Sequence, residues 1–255
     1  MTGHPGGTLT AGATRTAIVT VGGGFMRSRE VREAGEEAGF RGWQFYLAGR
    51  AGVLGPVHPD VVVAVVGFFP ARLVHPAWEQ ALGVRPPGEA VARYADACAR
   101  WGRRRLAGLP RAERLAELME RVVEAADPAG LVLFAGWRAV PRPDDPPARV
   151  AHLAHLLREH RGGAHLAAVL AAGLTPLQAI LAGRQGEANA RYFGWPEPYD
   201  EVSDRARAAH ARAEAVTDAV AGPAYETLAP LERAELVELL SAALHTAFPE
   251  ERLPA

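Results

Sequence analysis

The stretch Arg149 to Leu174, RVAHLAHLLREHRGGAHLAAVLAAGL, constrains this chain more than any other. Val150, Leu153, Leu156, Leu157 and His160 recur at three- and four-residue steps, the period of a helix face turned toward a core. The spacing predicts a helix, a break at Gly162-Gly163, and a second helix ending at Gly173. His160 therefore points where the leucines point. Glu159 and Arg161 flank it and His165 follows the glycines, which makes this the densest group of titratable side chains on an apolar framework.

Composition bounds what can surround that stretch. A chain of 255 residues, 49% hydrophobic, allows one large domain or two small ones. The formal charge is −1, and all 28 basic residues are arginine, as a GC-rich coding sequence favours. Arginine forks onto carboxylates, so exposed helices are expected to carry Arg–Glu pairs. Cys98 stands alone in a helical run with no base beside it, which reads as a buried structural thiol in a reducing, cytoplasmic setting. No apolar run approaches the ~20 residues of a membrane span, and no signal peptide is read at the N-terminus.

Along the chain, residues 1–25 are rich in Gly and Thr and are expected to form a flexible tail, with Met26 as an alternative start. A helical pattern follows to Arg50. VVVAVVGFFP (Val61 to Pro70) suits either a strand or a short buried helix. Glu89 to Leu106 reads as a helix with Val91, Tyr94, Cys98 and Trp101 on one face. The next helix carries a stripe of Leu115, Leu118, Met119, Val122 and Val123. The proline-rich segment 141–147 is the best boundary, dividing a first half (26–140) from a second (148–255). Thr175-Pro176 reads as the cap and first residue of a short helix. Ala206, Ala209, Ala213, Val216 and Val220 are read as the inner face of a later one.

The two halves resemble each other. Gly67-Phe68-Phe69-Pro70 matches Gly194-Trp195-Pro196, each followed by a long helix, and Glu113-Arg114 matches Glu232-Arg233 in the terminal helices. A tandem duplication makes the chain a fused pseudo-dimer, with ligands expected at the seam.

LREHRGGAH with LAAVLAAGL, the earlier FYLAGRAGVLGPV and the linker LFAGWRAVPRPDDP resemble a family of actinobacterial helix-turn-helix proteins. The resemblance covers about Phe40 to Leu244. The long terminal helix, the APLER corner and the ELVELL helix are also similar to the dimerising end of MarR-like winged-helix regulators. The resemblance implies a mainly α fold of tandem winged-helix-like halves with little β. One departure matters. Where a recognition helix and basic wing would follow, GRQGEANARYFGWPEPYDEV offers Arg184 and Arg191 against four acids, which argues against DNA binding.

The candidate ligand-binding residues are His160, His165, Glu159, Arg161, Arg50, Arg138 and Trp43. Arg50 and Arg138 each lie among small residues and aromatics and need a carboxylate or an anionic ligand, and Glu159 is available as the carboxylate. His160 and His165 are the metal option, because imidazole suits zinc or iron. His152, His155 and Glu159 share a face and read as solvated, with a metal site as the alternative. HEXXH, GXSXG, a P-loop and a post-strand GXGXXG are all absent, so no cofactor is expected. Three function classes stay open. One is a winged-helix-like protein binding a small ligand at the seam, regulatory with weak DNA affinity. Another is a small-molecule enzyme using His160, His165 and Glu159. The third is a fold acting only through protein partners, homo-oligomers included.

Overall fold

A computed structural model describes residues 6–249. Its helices, in chain order, are α1 (Gly7–Gly24), α2 (Arg29–Ala38), α3 (Gln44–Ala51), α4 (Pro59–Val66), α5 (Ala71–Val84), α6 (Pro87–Arg105) and α7 (Ala112–Ala125). They continue as α8 (Val132–Arg138), α9 (Pro146–Ala171), α10 (Pro176–Ala182), α11 (Gly186–Tyr192), α12 (Asp204–Tyr225) and α13 (Pro230–Ala247). The fold is mainly α, and no strand occurs among the described residues.

The predicted break at Gly162-Gly163 does not occur. α9 runs unbroken for 26 residues, started by the Asp145 side chain on Ala148 N and by two prolines in its first turn. Glycine serves close approach here: a Cβ on Gly163 would stand 2.8 Å from Leu131 Cδ2. α9 is the centre of the molecule, packed against α1, α6, α7, α8 and α12. That coverage overturns the solvated reading of His152, His155 and Glu159, which are all buried.

The expected tail at 1–25 is also corrected. Gly7–Gly24 forms α1, laid against α9, α12 and α13. Its small residues let backbones touch, since a Cβ on Gly22 would meet the Ala154 carbonyl oxygen of α9 at 2.3 Å. Composition that looks loose in sequence is here the signature of tight helix contact. Residues 1–5 of that expectation lie outside the described residues.

Val61 to Val66 is helix rather than strand. His58 caps α4, Pro59 opens it and Asp60 sits in its first turn. The stripes read on α6 and α7 are buried as expected, Cys98 included. On α12 the inward face is Ala209, Ala213, Thr217 and Ala221, while Val216 and Val220 are exposed. The main core joins Phe25, Tyr94 and Leu115 with Leu153, Leu236 and Leu240, so it continues across the 141–147 segment.

Two helix pairs stand out. α4 and α5 flank the corner Gly67–Pro70, and α10 and α11 flank the turn 183–185. Thr175 closes a capping box with Gln178 at the start of α10. After α11 the chain takes no wing. Pro196 and Pro198 interrupt 193–203, and proline gives no donor to a β ladder. Among the described residues no single helix is long and apolar enough to cross a membrane.

Candidate functional site

α9 distributes the candidate residues to three sides. Glu159 faces α3, where Arg50 donates from Nε to Oε1 and from Nη2 to Oε2, both at 2.9 Å. This two-pronged pair is buried on both members. Burial alone would raise the Glu159 carboxyl, but Arg50 and then Arg158 offset that and hold it at about 2. Arg50 Nη1 also donates to the Tyr46 hydroxyl at 2.8 Å, and the Trp137 indole N–H donates to the Arg50 carbonyl at 2.9 Å.

His155 lies within one helical turn of Glu159, with Nδ1 3.7 Å from its Oε1, too far for a hydrogen bond. Trp137 and Phe25 meet the imidazole edge-on, at 4.4 and 5.2 Å between centroids. Neither ring nitrogen has a hydrogen-bond partner among the described residues, nor do His152 Nε2 and the Tyr94 hydroxyl. Burial pushes His155 down to about 3 and His152 to about 4, so both are neutral near pH 7. Sequence reasoning missed this group. Its only signal was the His152, His155, Glu159 spacing, and spacing does not reveal that the opposite face is covered as well.

His160 and His165 face different helices. His160 faces α8, edge-on to Phe134 at 4.9 Å, and burial lowers it to about 4. Arg138 stays on that side, donating to the Ala126 carbonyl at 3.0 Å and pairing with Glu124. Arg161 faces α12, where it binds Asp218 at 2.6 Å and Glu214 at 2.9 Å. His165 Nδ1 lies 3.0 Å from the Thr217 hydroxyl of the same helix.

Trp43, the remaining candidate, lines a surface cleft of about 630 Å³. Tyr46 and Phe45 of α3, Val31 and Arg32 of α2, and Arg27 and Arg41 share its walls, and Tyr192 of α11 closes one end. The Arg27 guanidinium lies over the Tyr192 ring at 4.9 Å, and Trp43 meets the same ring edge-on at 5.3 Å. Arg32 and Arg41 have no carboxylate partner among the described residues. The cleft thus offers cationic donors beside aromatic faces, and its Tyr46 wall is one hydrogen bond from the Arg50–Glu159 pair.

The helix pairs meet at the same seam. Trp195 Nε1 donates to the Phe68 carbonyl at 2.9 Å, and Phe193 packs on Phe69 with centroids 4.8 Å apart. On the exposed side of α11, Arg191 is held by Glu187 and Glu197.

A model of a helix-turn-helix family matches residues 11–254, nearly the whole chain. No curated protein and no solved structure matches it.

Proposed function

The chain belongs to this helix-turn-helix family, and on that premise we propose that it is a regulatory binding protein for a small anionic aromatic ligand. The observation that carries the proposal is the double engagement of Tyr46. Its ring lines the cleft while its hydroxyl accepts from Arg50, whose other nitrogens grip Glu159 on the central helix. A ligand touching Tyr46 acts on α9 through that chain of bonds. A ligand touching Tyr192 acts on α11 directly. An anion finds Arg27, Arg32 and Arg41 in this cleft, and an aromatic ring finds Trp43 and Tyr192.

DNA is the partner that the family suggests, and this reading makes it the weaker one. Of the two cations of this region Arg191 is already paired with two glutamates, which leaves Arg184, just before α11, for phosphates. The tandem arrangement belongs to the same proposal. It is supported by helix order, since α4 to α7 and α10 to α13 each run from a proline-initiated helix through a second and a long helix to a terminal one. The matched corners fall at different places, Gly67–Pro70 between α4 and α5 and Gly194–Pro196 between α11 and α12. The two terminal helices also meet, through Arg114 with Glu232 and Glu235 and Arg121 with Glu232. The enzyme reading has less support, because Glu159, His160 and His165 face three sides of α9 and assemble no common acid–base pair. A cytoplasmic setting fits the buried free Cys98.

The test is a titration with 8-anilinonaphthalene-1-sulfonate, an anionic aromatic probe. One probe per chain is expected, displaced by other aromatic anions and weakened at least tenfold in Arg27→Gln and Tyr192→Ala. Absence of binding, or binding indifferent to both substitutions, sinks the proposal.

A further inference from the structure

A second constellation uses none of the cleft residues, although the Phe68-Phe69 corner touches both, with Phe68 stacked on His165 and Phe69 edge-on to Trp43. His165 of α9 and His210 and Glu214 of α12 each present one ligand atom, and these atoms all fall within 4.8 Å of one another. His210 and Glu214 are four positions apart, so α12 projects both from one face toward α9.

The tautomer of His165 is set by its neighbour. The Thr217 hydroxyl donates its only proton to the Ala213 carbonyl at 2.7 Å, because a carbonyl can only accept. Toward His165, 3.0 Å away, that oxygen must therefore accept, and Nδ1 carries the ring proton. The lone pair is left on Nε2, which faces Glu214 Oε1 at 3.9 Å. Two acceptors thus face each other with no proton between them, at a separation that a shared cation can bridge.

Glu214 is anchored in the complementary way. Arg15 and Arg161 both donate to its other oxygen, Oε2, at 2.8 and 2.9 Å, and Oε1 stays directed at the histidine. Such outer contacts orient a ligand atom before the metal arrives. The guanidinium charges are matched by the carboxylates of Glu214 and Asp218, so the cluster starts neutral.

We propose that His165 Nε2, a ring nitrogen of His210 and Glu214 Oε1 form a binding site for a zinc-class divalent cation between α9 and α12. Two imidazoles and one carboxylate suit zinc, cobalt or nickel, whereas calcium and magnesium prefer oxygen sets. Three protein ligands leave a coordination position for solvent or a further ligand. A bound ion staples α12 to the central helix next to α10.

The experiment uses the untagged full chain after chelator treatment, titrated with Zn²⁺ in competition with a chromophoric chelator. One ion per chain is expected, with affinity falling at least tenfold in His210→Gln, His165→Gln and Glu214→Gln. His210 makes no hydrogen bond or ion pair among the described residues, so its substitution leaves the fold intact and isolates ligand loss. The Co²⁺ adduct should show visible d–d bands that His210→Gln abolishes. No stoichiometric binding, or wild-type affinity in His210→Gln, overturns the proposal. Loss of probe binding in the cleft variants leaves this result unaffected.

Discussion

Arg50 and Glu159, 109 positions apart in sequence, close two parallel hydrogen bonds of 2.9 Å in the interior and so lock α3 to the central helix. The pair is nearly sealed from water, and removing one partner strands the other charge in the core. Single substitutions Arg50→Met and Glu159→Leu should each cost about 3–5 kcal/mol, and the double variant should recover much of that loss. Urea denaturation of the four proteins measures the cycle. Additive losses would show that the two side chains do not act as a unit.

Acid should destabilise this protein earlier than carboxylate titration alone predicts. His152, His155 and His160 are held neutral by burial, at about 4, 3 and 4. Above pH 6.5 folded and unfolded states are both neutral at these sites, and stability is unaffected. Below it the unfolded chain binds protons that the folded chain refuses, so stability falls until the folded values are reached. Each histidine contributes about 1.4 kcal/mol per pH unit, and three approach about 4. Glu159 acts in the same direction at lower pH, losing its contribution as pH falls toward about 2. Unfolding free energies measured from pH 7 to 5 should show this slope. His155→Leu should remove one proton from it while leaving stability at pH 7 equal or higher, because two unpartnered buried nitrogens disappear.

The helices were legible where one face alone is apolar, as on α6 and α7, because amphipathic period is the signal that periodicity reads. α9 was legible as central but misread in detail. A helix covered on all sides buries polar residues beside leucines, and no period separates His155 from a solvated histidine. α1 escaped for a related reason. Gly and Thr score as loop formers, yet their small size is what helix contact selects. Glu159 was legible as a carboxylate for Arg50 or Arg138, and only tertiary structure shows that Arg50 takes it while Arg138 turns to Ala126 and Glu124. The cleft arginines and Tyr192 come from separate elements, so no local spacing could gather them.

A chain beginning at Met26 lacks α1, and α1 covers α9, α12 and α13. It also removes Phe25, which packs on Tyr94 and His155. The shortened protein should be insoluble or show a noncooperative melt, followed by circular dichroism. A cooperative transition near that of the full chain would show that α1 is dispensable.

Duplex DNA should bind weakly. Without free cations on α11, affinity at about 150 mM salt should stay in the micromolar to submillimolar range of nonspecific binding. Anisotropy against the upstream region of its own coding sequence checks this. Nanomolar affinity falling steeply with salt would restore DNA as the primary partner.

The glycine pair of α9 separates two accounts of the same residues. If Gly162-Gly163 were a hinge or break, alanine at either position would stiffen it and both substitutions would act alike. The packing says otherwise. A Cβ at Gly162 meets nothing within 4 Å, whereas one at Gly163 stands 2.8 Å from Leu131 Cδ2. Both positions lie in an unbroken helix, where glycine costs about 0.5–1 kcal/mol relative to alanine. Gly162→Ala should therefore stabilise by about that amount, and Gly163→Ala should gain less, because Leu131 must move. Gly22→Ala marks the other extreme. Its Cβ would stand 2.3 Å from a backbone oxygen of α9, which no rotamer change relieves, so a loss of about 1–3 kcal/mol or more is expected. Urea midpoints for the three variants should fall in that order. Equal effects at 162 and 163 would return the pair to the role of a break.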